Sequence, residues 1–367
     1  MTRWPQVDFG HTSYDAAFVK GDVYGVAADS VHSTKRPLQI AIAGAGGVTQ
    51  AKWIPAIRNL QTRGEPITVS AIADPRLDVA NKAALLTGAE AFDTVKHLLE
   101  LHRPDLLLVL TADSAHVTVA TQAIERDIAC LVEKPISRSF QEAAALARLA
   151  ERQSTLLAAV ANKRFSPPYA MAKALVSDGA LKSAPTLFTG KFTLGYPYVD
   201  LLEGGTVHLL DLVQWFMGPV AKLHARAVKR DDGGIESATV SFSFKSGAIG
   251  SIMTSASAMS FKPWERVEIV GRNAFLVVDD QFETTLYDDE MGPAKSWRPT
   301  IPNTLMMDEA FGGYAGLLEN VLDAIRGIAP LASSGLEGAA TIGLIEAIYR
   351  SLSQDRDIDV AAEGLVP

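Results

Sequence analysis

The stretch Leu38-Gln39-Ile40-Ala41-Ile42-Ala43-Gly44-Ala45-Gly46-Gly47-Val48-Thr49 decides how this chain is read. Its first six residues form a short apolar run, the signature of a strand buried inside a parallel sheet. A glycine-rich loop follows at once, and Ala51, Ile54, Ile57 and Leu60 then recur at helical spacing. Strand, glycine loop and helix in that order are the context that a dinucleotide fingerprint requires. Gly44 permits the tight turn, and Gly46 lets backbone approach a pyrophosphate at the helix N-terminus, with Gly47, Val48 and Thr49 completing the loop. The third position of the fingerprint holds Thr49 instead of Gly or Ala, and its hydroxyl could bond a phosphate oxygen.

The same alternation continues outward from the loop. Ile67–Ala73 reads as a second strand that ends at Asp74, where a carboxylate accepts bonds from ribose hydroxyls and repels a 2′-phosphate. NAD is therefore the expected cofactor, while Arg76 leaves NADP open. Asp93 stands where it can cap a helix carrying Leu98, Leu99 and Leu101. Leu106–Leu110 and Ala129–Glu133 read as strands, with a helix from about His116 to Arg126 between them. Ser139 and Glu142 form a capping box for an Ala- and Leu-rich helix. The succession predicts an α/β domain over residues 37–157, a doubly wound parallel sheet with helices on both faces. Residues 1–36 read as an N-terminal arm outside it.

Beyond about residue 157 the texture changes. Thr186–Leu194, Leu223–Lys229, Thr239–Phe244, Ala248–Ser255 and Val267–Val270 alternate polar and apolar residues between glycine-containing turns. That pattern predicts a mostly antiparallel sheet with one face against helices, in a second α/β domain over 158–367. The segment 313–353 returns to helix, and Tyr314–Ile325 has a core-facing stripe.

Bulk properties fit two soluble domains. The chain has 367 residues, 48% apolar and 21% charged. Its formal net charge of -8 argues against nucleic acid as a partner, because phosphate binding needs clustered Lys and Arg. The single cysteine, Cys130, lies in an apolar run and reads as a buried structural thiol. Met1–Gln6 shows no apolar leader and no stretch reaches 18 apolar residues, so no membrane span and a cytoplasmic setting are expected.

Two segments carry candidate chemistry. Glu133-Lys134-Pro135 places a lysine directly after a strand, and ligands of parallel sheets collect at that carboxyl edge. Lys134 would point towards nicotinamide and substrate and exchange a proton with the reacting oxygen; in isolation it would read as a surface lysine at a proline turn. His208 and Asp211 lie three apart on one helical face, where the acid can fix the tautomer of the ring and support its protonated form.

These blocks together resemble the Gfo/Idh/MocA family over about residues 37–360. The resemblance rests on Ala41–Gly46, Ala71–Asp74, Glu133–Pro135, Asn162-Lys163-Arg164-Phe165-Ser166-Pro167, His208-Leu209-Leu210-Asp211 and Glu346–Ser351. It implies a Rossmann domain followed by an α/β domain with a large open sheet, through which dimers or tetramers form. It implies a hydride transfer between NAD(P) and a sugar, cyclitol or related polyol. Lys134 becomes the acid/base or substrate-orienting lysine, Glu133 a nicotinamide-side residue, and His208 the partner of the reacting oxygen. Thr111 and His116 fall where the family lines its cofactor, although Asp113 and Ser114 depart from its usual Thr-Pro-x-x-x-His. The family acid four residues before the histidine is replaced by Gly204, with Glu203 one place off. Arg164 is a candidate for substrate hydroxyls or a carboxylate, or else a structural ion pair; Tyr196 and Tyr198 could stack on a sugar ring.

Three other readings compete: an NAD-dependent glycosidase-type hydrolase, a non-catalytic regulator, which would be expected to lose Lys134, and a metal site built from His208, Asp211 and Glu203, although no zinc-like spacing is present. If Asp74 sets the preference, NAD raises the melting temperature more than NADP does. A larger shift with NADP would assign the choice to Arg76.

Overall fold

A computed structural model describes residues 35–195, 200–258, 263–299 and 310–367. The arm expected over 1–36, apart from Lys35 and Arg36, and the pair Tyr196 and Tyr198 lie outside the described residues.

Six short strands build the first sheet: β1 (Leu38–Ala43), β2 (Ile67–Ala73), β3 (Glu90–Phe92), β4 (Leu106–Val109), β5 (Ala129–Val132) and β6 (Leu157–Ala159). Their order is β3-β2-β1-β4-β5-β6, and every pairing is parallel. All four residues of β4 and of β5 are buried, which is why these strands read as unbroken apolar runs. Strand order reverses between β1 and β4, so a crevice opens at their carboxyl ends.

Two helix starts differ from the sequence reading. Thr94, not Asp93, caps Val95–Leu101: its hydroxyl oxygen accepts the His97 N–H at 3.2 Å, and Asp93 lies 3.9 Å from the His97 ring. Ser139 does cap Phe140–Gln153, but Glu142 accepts the Ser137 hydroxyl at 2.8 Å, which leaves half a box. A complete capping box stands at Ser334 and Glu337, opening Gly335–Gln354.

Among the described residues the second sheet has nine strands: β7 (Leu187–Thr193), β8 (Val220–Lys229), β9 (Ile235–Phe244), β10 (Ile249–Ser255), β11 (Trp264–Val270), β12 (Phe275–Asp279), β13 (Glu283–Tyr287), β14 (Lys295–Trp297) and β15 (Ile358–Asp359). Their order is β14-β13-β12-β11-β7-β10-β9-β8-β15. β7 and β10 pair in parallel, and the other neighbours run antiparallel. Phe188, Phe192, Val240, Phe242, Ile252 and Ile269 point to one face and share a core with Leu209, Leu210 and Val213 of the helix Val207–Met217. The other face leaves Ile249, Met253 and Trp264 exposed.

The chain then returns to the first sheet. Tyr314–Ile325 buries Leu317, Leu318, Val321 and Leu322 with Ile40, Ile42, Trp53 and Ile57. Its expected apolar stripe is real, but the core it faces is that of the Rossmann sheet rather than its own domain.

Gly44 fixes the crevice. Its φ is +95°, and a Cβ there would overlap the carbonyl oxygen of Leu110 at the end of β4. Glycine is the residue that satisfies both demands. Gly44→Ala is expected to cost about 1–3 kcal/mol of stability, the range for a side chain forced into left-handed backbone. Urea unfolding reads this directly, and an unchanged midpoint would contradict it.

Candidate active site

The glycine loop leaves room where a ligand would need it. A Cβ on Gly46 or Gly47 would meet nothing within 4 Å, so the loop presents bare backbone to the crevice. Val48 beside them is exposed. Thr49 behaves otherwise than expected: it is buried, and its hydroxyl donates to the Gly44 carbonyl at 2.7 Å. It therefore braces the turn instead of offering itself to a phosphate. Asp74 accepts the Ala45 and Arg76 backbone N–H groups, each at 2.9 Å. Arg76 Nε adds a third, longer bond at 3.5 Å, and since a carboxylate has about four acceptor sites, capacity for a ribose hydroxyl remains. The Arg76 guanidinium lies mostly in solvent, 3.5 Å from Asp74. An open cradle with a carboxylate at the end of β2 fits an adenosine diphosphate whose ribose is unphosphorylated.

Next to this cradle, side chains fasten the loops to one another. His116 is buried, with Nδ1 2.8 Å from the Pro135 carbonyl and Nε2 3.1 Å from the Thr111 carbonyl. It struts the loop after β4 against the turn after β5. The Thr111 hydroxyl donates to the Ala112 carbonyl at 3.3 Å. Glu133 is buried too; it accepts Trp53 Nε1 at 3.1 Å and the Lys134 backbone N–H at 2.8 Å. Trp53 sits edge-on to Tyr314, whose hydroxyl pKa is raised by burial and by Glu133. The Lys134-Pro135 peptide is cis.

Lys134 emerges from that turn, half-buried, and its Nζ donates to the Gly204 carbonyl at 2.8 Å. Gly204 lies in a π-helical turn, Leu201–Thr206, capped by Asp200, which accepts the Glu203 N–H at 2.8 Å. The neighbouring Glu203 carboxylate is engaged elsewhere, 3.4 Å from Arg138 Nε. Burial and Asp200 push the pKa of Glu203 up while Arg138 opposes them. Arg138 also donates to Asp113 at 3.0 Å, so it spans the loop after β4 and the π-helical turn.

The helix Val207–Met217 carries His208 to the same place. His208, Asp211, Lys134 and Pro135 line a small cavity of about 20 Å³, room for a single water. The expected pairing of His208 with Asp211 does not form. Both oxygens of Asp211 are taken by Arg164, from Nε at 2.9 Å and Nη2 at 2.6 Å. Arg164 Nη1 donates to Ala332 O and to Glu337, each at 2.6 Å. Four of its five N–H donors are thus taken by the fold, and the structural ion pair is the alternative realised. Without an anion beside it, the His208 ring is pushed well below 6.5 by burial and then by the positive charges of Lys134 and Lys163. It is neutral at pH 7, the reverse of the protonated form that an Asp211 partner would support.

Lys163 is the site residue that sequence reasoning passed over. It stood within the Asn162–Pro167 block, but its buried partner, Glu265 at 3.0 Å, lies on β11 and far along the chain. The three groups considered for a metal diverge, with Asp211 on Arg164 and Glu203 on Arg138. Among the described residues no cluster of three His, Cys, Asp or Glu could hold a metal ion, and no helix is long and apolar enough to cross a membrane.

A glycine cradle and a lysine–histidine pair meeting at the carboxyl edge of a Rossmann sheet define an NAD-binding oxidoreductase. Residues 38–160 match the NAD-binding Rossmann fold of the Gfo/Idh/MocA oxidoreductase family, and residues 201–360 match its C-terminal α/β domain. The chain belongs to this family. It is 24% identical over 318 residues to inositol 2-dehydrogenase of Rhizobium meliloti, covering 80% of this chain and 94% of that protein. It shares its fold with an oxidoreductase from Agrobacterium radiobacter solved with NAD+, L-tartaric acid and magnesium (TM-score 0.79, 18% identity, 89% of this chain and 100% of that one). The same holds for levoglucosan dehydrogenase solved with NADH and L-sorbose (TM-score 0.78, 17% identity, 89% and 99%).

The depressed pKa of His208 carries a pH signature. The unfolded chain binds the proton at 6.5 and the folded one only well below, so the contribution is intact above 6.5 and is lost as pH falls through it. His208→Gln is expected to flatten the decline of stability below pH 6.5, read by urea unfolding at a series of pH values. A parallel shift of the whole curve would show that the ring does not titrate this way.

Proposed function

We propose that this protein moves a hydride between NAD and a carbon bearing a hydroxyl on a sugar, cyclitol or related polyol. The carrying observation is Lys134 Nζ, held at the π-helical turn that leads directly into the His208 helix, on the edge of the sheet that bears the glycine cradle. Bound NAD supplies the hydride acceptor or donor. Lys134 keeps two N–H donors beyond the one spent on Gly204, and these reach a substrate oxygen. His208, being neutral, offers one nitrogen as acceptor or donor to the same oxygen and so orients it. The proton leaves or arrives through Lys134. The activities named for relatives on inositol and levoglucosan support this reading, as does retention of Lys134 against a purely regulatory role. A homodimer through the outer face of the nine-stranded sheet fits the exposed Ile249, Met253, Trp264 and Tyr287.

Lys134→Ala is expected to lower kcat by about 10²-fold or more, the range of general acid–base assistance, with NAD affinity by fluorescence titration unchanged. Turnover close to that of the unaltered enzyme would remove Lys134 from the chemistry.

A further inference from the structure

The charge balance around the cleft narrows the substrate, on the assumption that the proposed hydride transfer is right. Each carboxylate nearby is engaged by a group of the protein. Asp211 is ion-paired with Arg164, Glu265 with Lys163 and Glu203 with Arg138, while Glu133 is turned away onto two neutral donors, Trp53 Nε1 and the Lys134 backbone N–H. Lys134 is different, because the acceptor on its ammonium is a neutral carbonyl, Gly204 O. The cause is local. The wide turn Leu201–Thr206 carries Glu203 out to Arg138 and brings backbone, not a carboxylate, to the lysine. The charges that act on the neighbouring His208 ring are likewise two cations, Lys134 and Lys163.

We infer that the polyol brings its own anion: the substrate class is a polyhydroxy carboxylate, a sugar acid whose carboxylate sits against the Lys134 ammonium beside His208. A neutral polyol would desolvate that ammonium without giving it an anionic partner, which is costly in a half-buried cleft. A carboxylate gives it one and accepts a charge-assisted hydrogen bond from one of the two remaining N–H donors, which leaves the other for the reacting oxygen.

The test compares matched pairs that differ only at the terminal carbon, glucose with glucuronate and galactose with galacturonate, with glucose 6-phosphate as a third arm. Two quantities are read: NADH formation, and the thermal shift of the NAD-saturated enzyme, which needs no turnover. The acid is expected to exceed its neutral partner about ten- to hundredfold in kcat/KM or affinity, the range of one charge-assisted hydrogen bond. The advantage should shrink with added salt. Gly204→Asp, which sets a carboxylate in the helical turn beside Lys134, should erase most of it. Neutral sugars bound or turned over as well as their acids would overturn the inference, and so would a phosphate arm stronger than both acids. Acids that bind selectively but yield no NADH would instead sink the proposed hydride transfer while leaving the charge preference standing.

Discussion

Arg164 is the interaction on which the site depends. It sits in the short turn after β6 and reaches two segments far from it in sequence: Asp211 on the His208 helix, and the entry to the last helix, where it meets the carbonyl of Ala332 and Glu337. A guanidinium suits this task because its planar fork pairs both oxygens of one carboxylate and still has donors for others. Such a buried group persists only with its partners in place, since any one lost would leave charge unsatisfied away from water. By holding Asp211 it sets where the His208 helix lies against the Rossmann edge. It also takes from His208 the anion that would have kept the ring charged.

The opposite wall of the cleft is built by a second set of ties. Gly44 packs against the end of β4, His116 connects the next loop to Pro135, and Glu133 joins the lysine turn to Trp53 behind the glycine loop. Several residues that the sequence reading assigns to the cofactor, Thr49, His116 and Glu133 among them, thus act on other parts of the protein. They hold a cradle whose ligand-facing surface is largely backbone. Rigid support of this kind is what keeps reacting atoms in register, because small displacements at a hydride-transfer site are expensive.

Legibility along the chain followed the range of the interactions. The first sheet was plain because β4 and β5 are apolar throughout, β1 and β2 are mostly so, and helical patterns separate them. β3, three residues long, was too short to show a period, and β12 to β15 were missed where short runs acquire meaning only through their neighbours in the sheet. Asp93 and Thr94 are both acceptable caps, and only the backbone path chose Thr94. Glu142 matched a capping-box spacing, but Ser137 lay within its reach and took its carboxylate.

The sequence alone determined the dinucleotide cradle, the lysine at the edge of β5 and the histidine helix, because each depends on residues close together and on backbone conformations that few side chains allow. Gly44 is the clearest case, being required by its own dihedral angle and by the strand beside it. Only the tertiary structure decided the partners of the charged groups: Asp211 with Arg164, Lys163 with Glu265, Glu203 with Arg138, and Lys134 with a bare carbonyl. Ion pairs form between whatever the fold brings within about 4 Å, a distance that separation along the chain does not encode.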